Sequence, residues 1–206
     1  DFPNDRADWI GKLIVDLKPD TVVNLGDQWD LSSLSGYDKG KASFQGRAYK
    51  RDLDSGLEFS ERLWAPWKRS KKKKPLAIFL EGNHEERQNR LLEQQPELDG
   101  TISFEDFDLN RYYDEVIRYK GQTPGVVQVD GILYAHYFIT GVSGRNVSGE
   151  HPAYTLLTKH FGSATCGHIH TFDYSVRTDG AGRRIHGLVA GVAQDYDSPW
   201  AGEMCK

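Results

Sequence analysis

Carboxylate, amide and imidazole side chains recur in four short segments of this chain: Gly26-Asp27-Gln28-Trp29-Asp30, Gly82-Asn83-His84-Glu85, Tyr134-Ala135-His136 and Gly167-His168-Ile169-His170. These are the groups that bind cations and move protons. A carboxylate such as Asp27 can use both oxygens to bridge two cations, while the Asn83 amide oxygen and neutral imidazoles fill the remaining positions. In His168-x-His170 the imidazoles are two residues apart, so in an extended segment both project to one side and can face one metal centre. Mixed nitrogen and oxygen ligation suits Mn, Fe, Zn or Ni rather than Ca. Each residue also has a plain structural explanation. Asp27 can cap a turn, Asn83 can occupy a left-handed turn position, and His136 can be a satisfied structural residue.

The elements that must position these groups follow from hydrophobic pattern. Trp9, Leu13, Ile14 and Leu17 have the spacing of an amphipathic helix over about 5–17, which Pro19 stops. Residues 21–25 read as a buried strand, rich in β-branched side chains and closed by Gly26. The pattern repeats at 76–80, an apolar run that ends at Glu81-Gly82. Helices are expected over about 52–67, 85–95 and 151–161, and the stretch 106–119 has no clear assignment. Val126–Val129 and Ile132–Ala135 flank Asp130-Gly131, a strong two-residue hairpin signal. Residues 164–166 form a short strand before Gly167, and 172–177 and 184–192 alternate as strands. Four strand ends thus deliver polar groups, and open α/β sheets assemble sites at strand carboxyl ends.

At 206 residues, with 38% hydrophobic, 12% aromatic and 27% charged residues, the chain is expected to be one soluble domain spanning 1–206, with a long insertion or cap-like segment at about 31–74. No apolar run reaches the ~18 residues of a membrane span. A net charge of -4 argues against a whole-molecule basic field for nucleic acid. Cys166 and Cys205 are too few for a disulfide framework and read as free thiols of a reducing, cytoplasmic compartment.

Taken jointly and in order, Gly26-Asp27-x-x-Asp30, Gly82-Asn83-His84-Glu85, the strand-end His136 and Gly167-His168-x-His170 resemble the successive motifs of the calcineurin-like metallophosphoesterases, over roughly residues 1–170. The resemblance implies a four-layer αββα sandwich of two mixed sheets. It implies that Asp27 bridges two metals, that Asn83, His136 and His168 hold one of them, and that His170 holds the other. His84 would stand beside the phosphate as proton donor or transition-state stabiliser, with Asp30 orienting it and keeping it cationic. The implied activity is that of a metal-dependent phosphohydrolase, a phosphodiesterase before a phosphomonoesterase, using metal-activated hydroxide for in-line attack, with Mn2+ favoured over Fe, Zn or Ni.

One departure qualifies this. The family's first motif, Asp-x-His, is missing, and Asp1 stands at the expected histidine position. Either the start is cut short or the first metal relies on Asp27, His170 and Asp1, so one tightly bound ion and a second weak or incomplete site are expected. Two rival functions stay open. A nuclease could hold DNA or RNA on Lys68–Lys74 beside Trp64 and Trp67, and a degenerate module could bind metal or nucleic acid without turnover. A dedicated clamp for a monoester is not evident, with Arg87, Arg145 and Arg183 as the candidates. His151, His160 and His186 are assigned to surface or structural roles, and Glu85 to the N-terminal turn of a helix.

Overall fold

A computed structural model of the chain describes residues 5–37, 39–141 and 144–193. It is a mixed α/β protein whose contacts fall into two compact units, 1–119 and 120–206. Asp1 lies outside the described residues.

The first unit is built on three short parallel strands in the order β1 (Thr21–Asn24), β2 (Leu76–Leu80), β3 (Glu115–Ile117), with Thr21 opposite Leu76 and Ile78 opposite Glu115. Parallel neighbours need a crossover, and the long segment between β1 and β2 supplies it through α2 (Tyr49–Ser70). This helix extends the expected 52–67 by a turn; Pro66 lies within it without ending it. No strand occurs among the described residues of 31–74, where 3-10 turns at Ser32–Leu34 and Ala42–Phe44 precede α2. The strand β3 falls in the stretch that hydrophobic pattern left unassigned.

Packing explains two glycines inside helices, where glycine costs about 1 kcal/mol relative to alanine. Helix α1 (Asp5–Leu17) lies so close to α2 that a Cβ on Gly11 would sit 2.3 Å from the Leu63 carbonyl oxygen. Arg62 of α2 fastens the same pair of helices through Asp5 and Asp8. At Gly56 the missing Cβ leaves room for the Trp29 indole, whose Nε1–H donates to the Leu53 carbonyl at 3.3 Å. Trp29 then packs against Phe79 and Phe107 at centroid distances of 6.1 and 4.6 Å, joining a core that includes Trp64, Trp67 and Tyr113.

Burial of Trp64 and Trp67 removes the stacking surface that would have accompanied the lysine run. Three of its lysines also have protein partners: Lys68 pairs with Glu61, Lys74 with Asp114, and Lys72 donates to the Val15 carbonyl. Trp64 and Trp67 are therefore core residues rather than an exposed stacking surface.

The second unit carries a five-stranded mixed sheet in the order β4 (Val126–Val129), β5 (Ile132–Ala135), β8 (Ala164–Cys166), β10 (Arg184–Ala190), β9 (Phe172–Thr178). The β4–β5 hairpin turns on Asp130 and Gly131, both with positive φ as a two-residue primed turn requires. Two-residue strands β6 (Ile139–Thr140) and β7 (Arg145–Asn146) pair separately. Helix α4 (Pro152–His160) packs on β9 and β10, and Gly187 lets it approach, since a Cβ there would lie 2.6 Å from the Ala153 carbonyl. Cys166 is a free, buried thiol of this core, its pKa pushed up to about 12 by burial. His160 packs at a tilt against Phe138, and His186 bonds Tyr174 on the exposed face of the sheet. No helix among the described residues is long and apolar enough to cross a membrane.

Gly11→Ala is expected to lower unfolding stability by about 1–3 kcal/mol, because the helix backbone rather than a flexible side chain must give way. Urea denaturation checks it against Gly180→Ala, whose Cβ would meet nothing within 4 Å and should leave the midpoint unchanged.

Candidate metal and phosphate site

In the first unit, two chain segments turn immediately after adjacent parallel strands, at Gly26-Asp27 after β1 and at Gly82-Asn83 after β2. Asn24, the last residue of β1, begins the first turn by accepting the Gly26 N–H on its Oδ1 at 3.0 Å. Its Nδ2 donates to Gln28 Oε1 and to the Tyr113 hydroxyl, both at 2.8 Å. Gln28 in turn donates to the Gly56 carbonyl at 3.1 Å and to Ser60 Oγ at 2.7 Å, anchoring the turn to α2.

The two turns are pressed against each other. A Cβ on Gly26 would lie 2.5 Å from the Leu80 carbonyl, and one on Gly82 would lie 2.2 Å from Asp27 Oδ1 and 2.4 Å from the Asp27 nitrogen. Glu85 holds them in this contact. Its carboxylate is buried and accepts the backbone N–H groups of Asp27 at 2.9 Å, Trp29 at 3.0 Å and Gly82 at 2.9 Å. Glu85 is thus not a helix N-terminal residue, as expected from sequence. The next helix, α3 (Arg87–Gln94), begins only after residues 83–86 form the turn that aims Glu85 inward.

Asp27 has φ of 54°, a left-handed conformation that costs a non-glycine residue about 1–2 kcal/mol. The clamp from Glu85 offsets that cost and fixes where the Asp27 carboxylate points. Its Oδ1 accepts the His84 N–H at 3.0 Å, and Oδ2 lies 3.9 Å from His84 Nε2. Asn83, Asp27 and His84 are half-buried side by side, so the structure brings together four of the expected site residues, Asp27, Asp30, Asn83 and His84.

His84 Nδ1 lies 3.0 Å from Asp30 Oδ1, and Arg87 Nη2 lies 3.2 Å from His84 Nε2. An arginine can only donate, so Arg87 can bond the neutral tautomer with its proton on Nδ1, and the imidazolium carries a proton on Nε2 in place of that bond. Burial of the imidazole disfavours the cation, but the Asp30 bond and the Asp27 charge outweigh it and raise the His84 pKa above its ordinary value.

The second unit presents its imidazoles separately. His136 follows β5 and is buried, and its carbonyl accepts the Gly167 N–H at 2.9 Å. His168 has φ of 62°, so the segment after β8 bends, and the extended geometry on which the same-side argument rested is not the one formed. The bend turns His168 toward His136. Their rings meet edge to face at 5.2 Å, with ligand nitrogens within 4.8 Å of each other, close enough for two imidazoles to close on one cation. His170, two residues on in the same bend, is half-buried.

Functional residues that sequence reasoning undervalued are Glu85, Gln28 and Trp29. Isolated glycines at 11 and 56 within helical pattern were the available signal for close packing. Nothing in the sequence marked Glu85 as a clamp.

Glu85→Gln is expected to destabilise the protein by about 1–3 kcal/mol, since an amide oxygen replaces one carboxylate oxygen and its NH2 faces backbone donors. Denaturant unfolding of the metal-free protein measures this; an unchanged midpoint would show that the turns need no clamp. Asp30→Asn should lower the His84 pKa, because the imidazolium loses its charged partner. By linkage, the His84–Asp30 pair stabilises the fold fully below the ordinary histidine pKa, and that contribution is lost as pH rises through the raised folded value. An NMR titration of the His84 imidazole in metal-free protein reads the shift, and an equal or higher pKa in the variant would contradict it.

No protein-family model, curated protein or solved structure matches this chain, and the reading of the site rests on its own residues and geometry.

Proposed function

We propose that this chain is a metal-dependent phosphohydrolase of the calcineurin-like type, acting on phosphodiesters and, as a second substrate class, monoesters, within a four-layer αββα arrangement. The observation that carries the reading is the pair of fused glycine turns: they hold a left-handed Asp27 carboxylate directly against the Gly82 turn and His84. Strained ligand-bearing residues persist where the surrounding structure over-determines them, and both Asp27 and His168 are in that class.

The donor set fits a borderline transition ion such as Mn2+. Asp27, Asn83, His136 and His168 would hold one ion, and Asp27 with His170 a second, weaker one. When bound, such ions supply Lewis acidity toward the phosphate and lower the pKa of water at the site. The chain's own residues do the rest. His84 faces the phosphate and gives a proton to the departing oxygen, Asp30 fixes the imidazole by its Nδ1 contact, and Glu85 keeps Asp27 in register with His84.

A chromogenic phosphodiester turned over with and without added Mn2+ tests this reading. Turnover is expected only with metal, and one tightly retained ion per chain is expected after dialysis by mass spectrometry. Asp27→Asn should lose metal and activity together. His84→Ala should lower kcat by roughly 10²- to 10⁴-fold with metal content intact, the range of a lost general acid. Metal binding without any turnover would support the non-catalytic module instead, and metal loss in His84→Ala would refute the role given to that residue.

A further inference from the structure

Strand β9 is an edge of the five-stranded sheet: β10 lies on one side of it, and no strand among the described residues lies on the other. It runs for seven residues in unbroken register with β10 and contains no proline and no bulge. A long, regular edge is a template for another strand unless something blunts it. On one face of β9, Phe172, Tyr174 and Val176 are 69%, 51% and 44% exposed. On the other, Asp173 Oδ2 accepts the Ala153 N–H at 2.8 Å, and the Arg177 guanidinium lies 5.1 Å from the centre of the Tyr154 ring.

The phase of the ladder decides which backbone groups are open. Just beyond the Thr178–Arg184 pair, the Asp179 N–H donates to the Arg183 carbonyl at 2.8 Å. Bonded and non-bonded pairs alternate in an antiparallel ladder, so Asp173, Ser175 and Arg177 exchange hydrogen bonds with β10, while Phe172, Tyr174, Val176 and Thr178 turn their N–H and C=O groups outward. His186, opposite Val176, fits this phase, since its N–H points away from β9 and donates to Ser163 Oγ at 3.1 Å.

We propose that β9 is a self-pairing edge whose occupant is the β9 of a second copy of this chain, antiparallel and centred on Ser175, an inference independent of the phosphoesterase reading. A two-fold axis at Ser175 makes hydrogen-bonded pairs of Tyr174 with Val176 of the second copy and of Phe172 with Thr178, which uses the outward backbone groups along the whole strand. The same axis sets Asp173 opposite Arg177 of the second copy, and Arg177 opposite its Asp173, at non-hydrogen-bonded positions where side chains come closest. Tyr174 against Val176 adds an aromatic and β-branched pair on the exposed face. The neighbouring registers set Asp173 opposite Asp179 or Ser175 and leave outward groups unmatched at a strand end, so charge and hydrogen bonding choose the same alignment. Pairing of one strand covers less than a standard interface, which makes the dimer concentration-dependent.

Sedimentation equilibrium on the full chain, from roughly micromolar to millimolar protein, tests this together with hydrogen exchange of the Tyr174 and Val176 amides. Wild type should pass from monomer to dimer, and those amides should exchange more slowly as the dimer forms. Arg177→Asp sets like charges opposite each other and should weaken association at least about tenfold. Asp173→Arg should do the same, and an equimolar mixture of the two variants should recover the dimer, because each then faces its opposite charge. Thermal unfolding checks that Asp173→Arg, which also gives up its bond to Ala153, is folded. Val176→Pro removes an outward N–H without touching the bonds to β10 and should abolish association. A wild type that stays monomeric throughout, amide protection that does not change with concentration, or association of Arg177→Asp or Val176→Pro as tight as wild type would each overturn the proposal. So would a mixture of folded charge variants that associates no better than either alone.

Discussion

Because the buried Glu85 carboxylate accepts N–H groups from Asp27, Trp29 and Gly82, the turns after β1 and β2 cannot move independently. Three backbone donors on one carboxylate satisfy the acceptor without a countercharge and confine both turns to one geometry. Glycines at 26 and 82 are what make that geometry possible, since either side chain would collide with the opposing backbone. The position of the Asp27 carboxylate is therefore a consequence of packing between two strands, and His84, Asp30 and Arg87 are placed relative to it in turn.

The same logic spreads outward from the site. Gln28 and Trp29 continue the Asp27 turn into α2, where Ser60, the Gly56 carbonyl and the Leu53 carbonyl receive them. Helix α2 is fixed on α1 by the close approach at Gly11, so a segment that hydrophobic pattern marks as an insertion is the support of the first turn. In the second unit, a left-handed His168 performs the task that Asp27 performs in the first: it bends the chain at a strand end and sets a ligand-type side chain against a neighbour, here His136.

Elements with strong local signals were legible in the sequence. The strands at 21–24 and 76–80, the helix at 5–17 and the Asp130-Gly131 hairpin follow from β-branched runs, helical spacing and turn chemistry. Features decided by tertiary contact were not. Strand β3 is three residues long and exists because Ile78 and Leu80 pair with it. Glu85 reads as a helix-start residue by local rules, and only the facing Asp27 turn makes it a clamp. His168 and His170 look equivalent at spacing two in an extended segment, but the positive φ at His168 makes the segment a bend. Trp64 and Trp67 lie next to a lysine run and yet belong to the core, because helical period rather than adjacency decides which face they occupy.

The central claim of the proposed function is that the Glu85-fixed turns of the first unit hold Asp27 and Asn83 ready for a divalent cation. Substoichiometric Mn2+ added to isotopically labelled protein tests it through paramagnetic broadening. The account predicts that the Asp27, Asn83 and His84 amide signals broaden ahead of the rest of the first unit. Broadening centred on surface carboxylates elsewhere, with these amides unaffected, would contradict it.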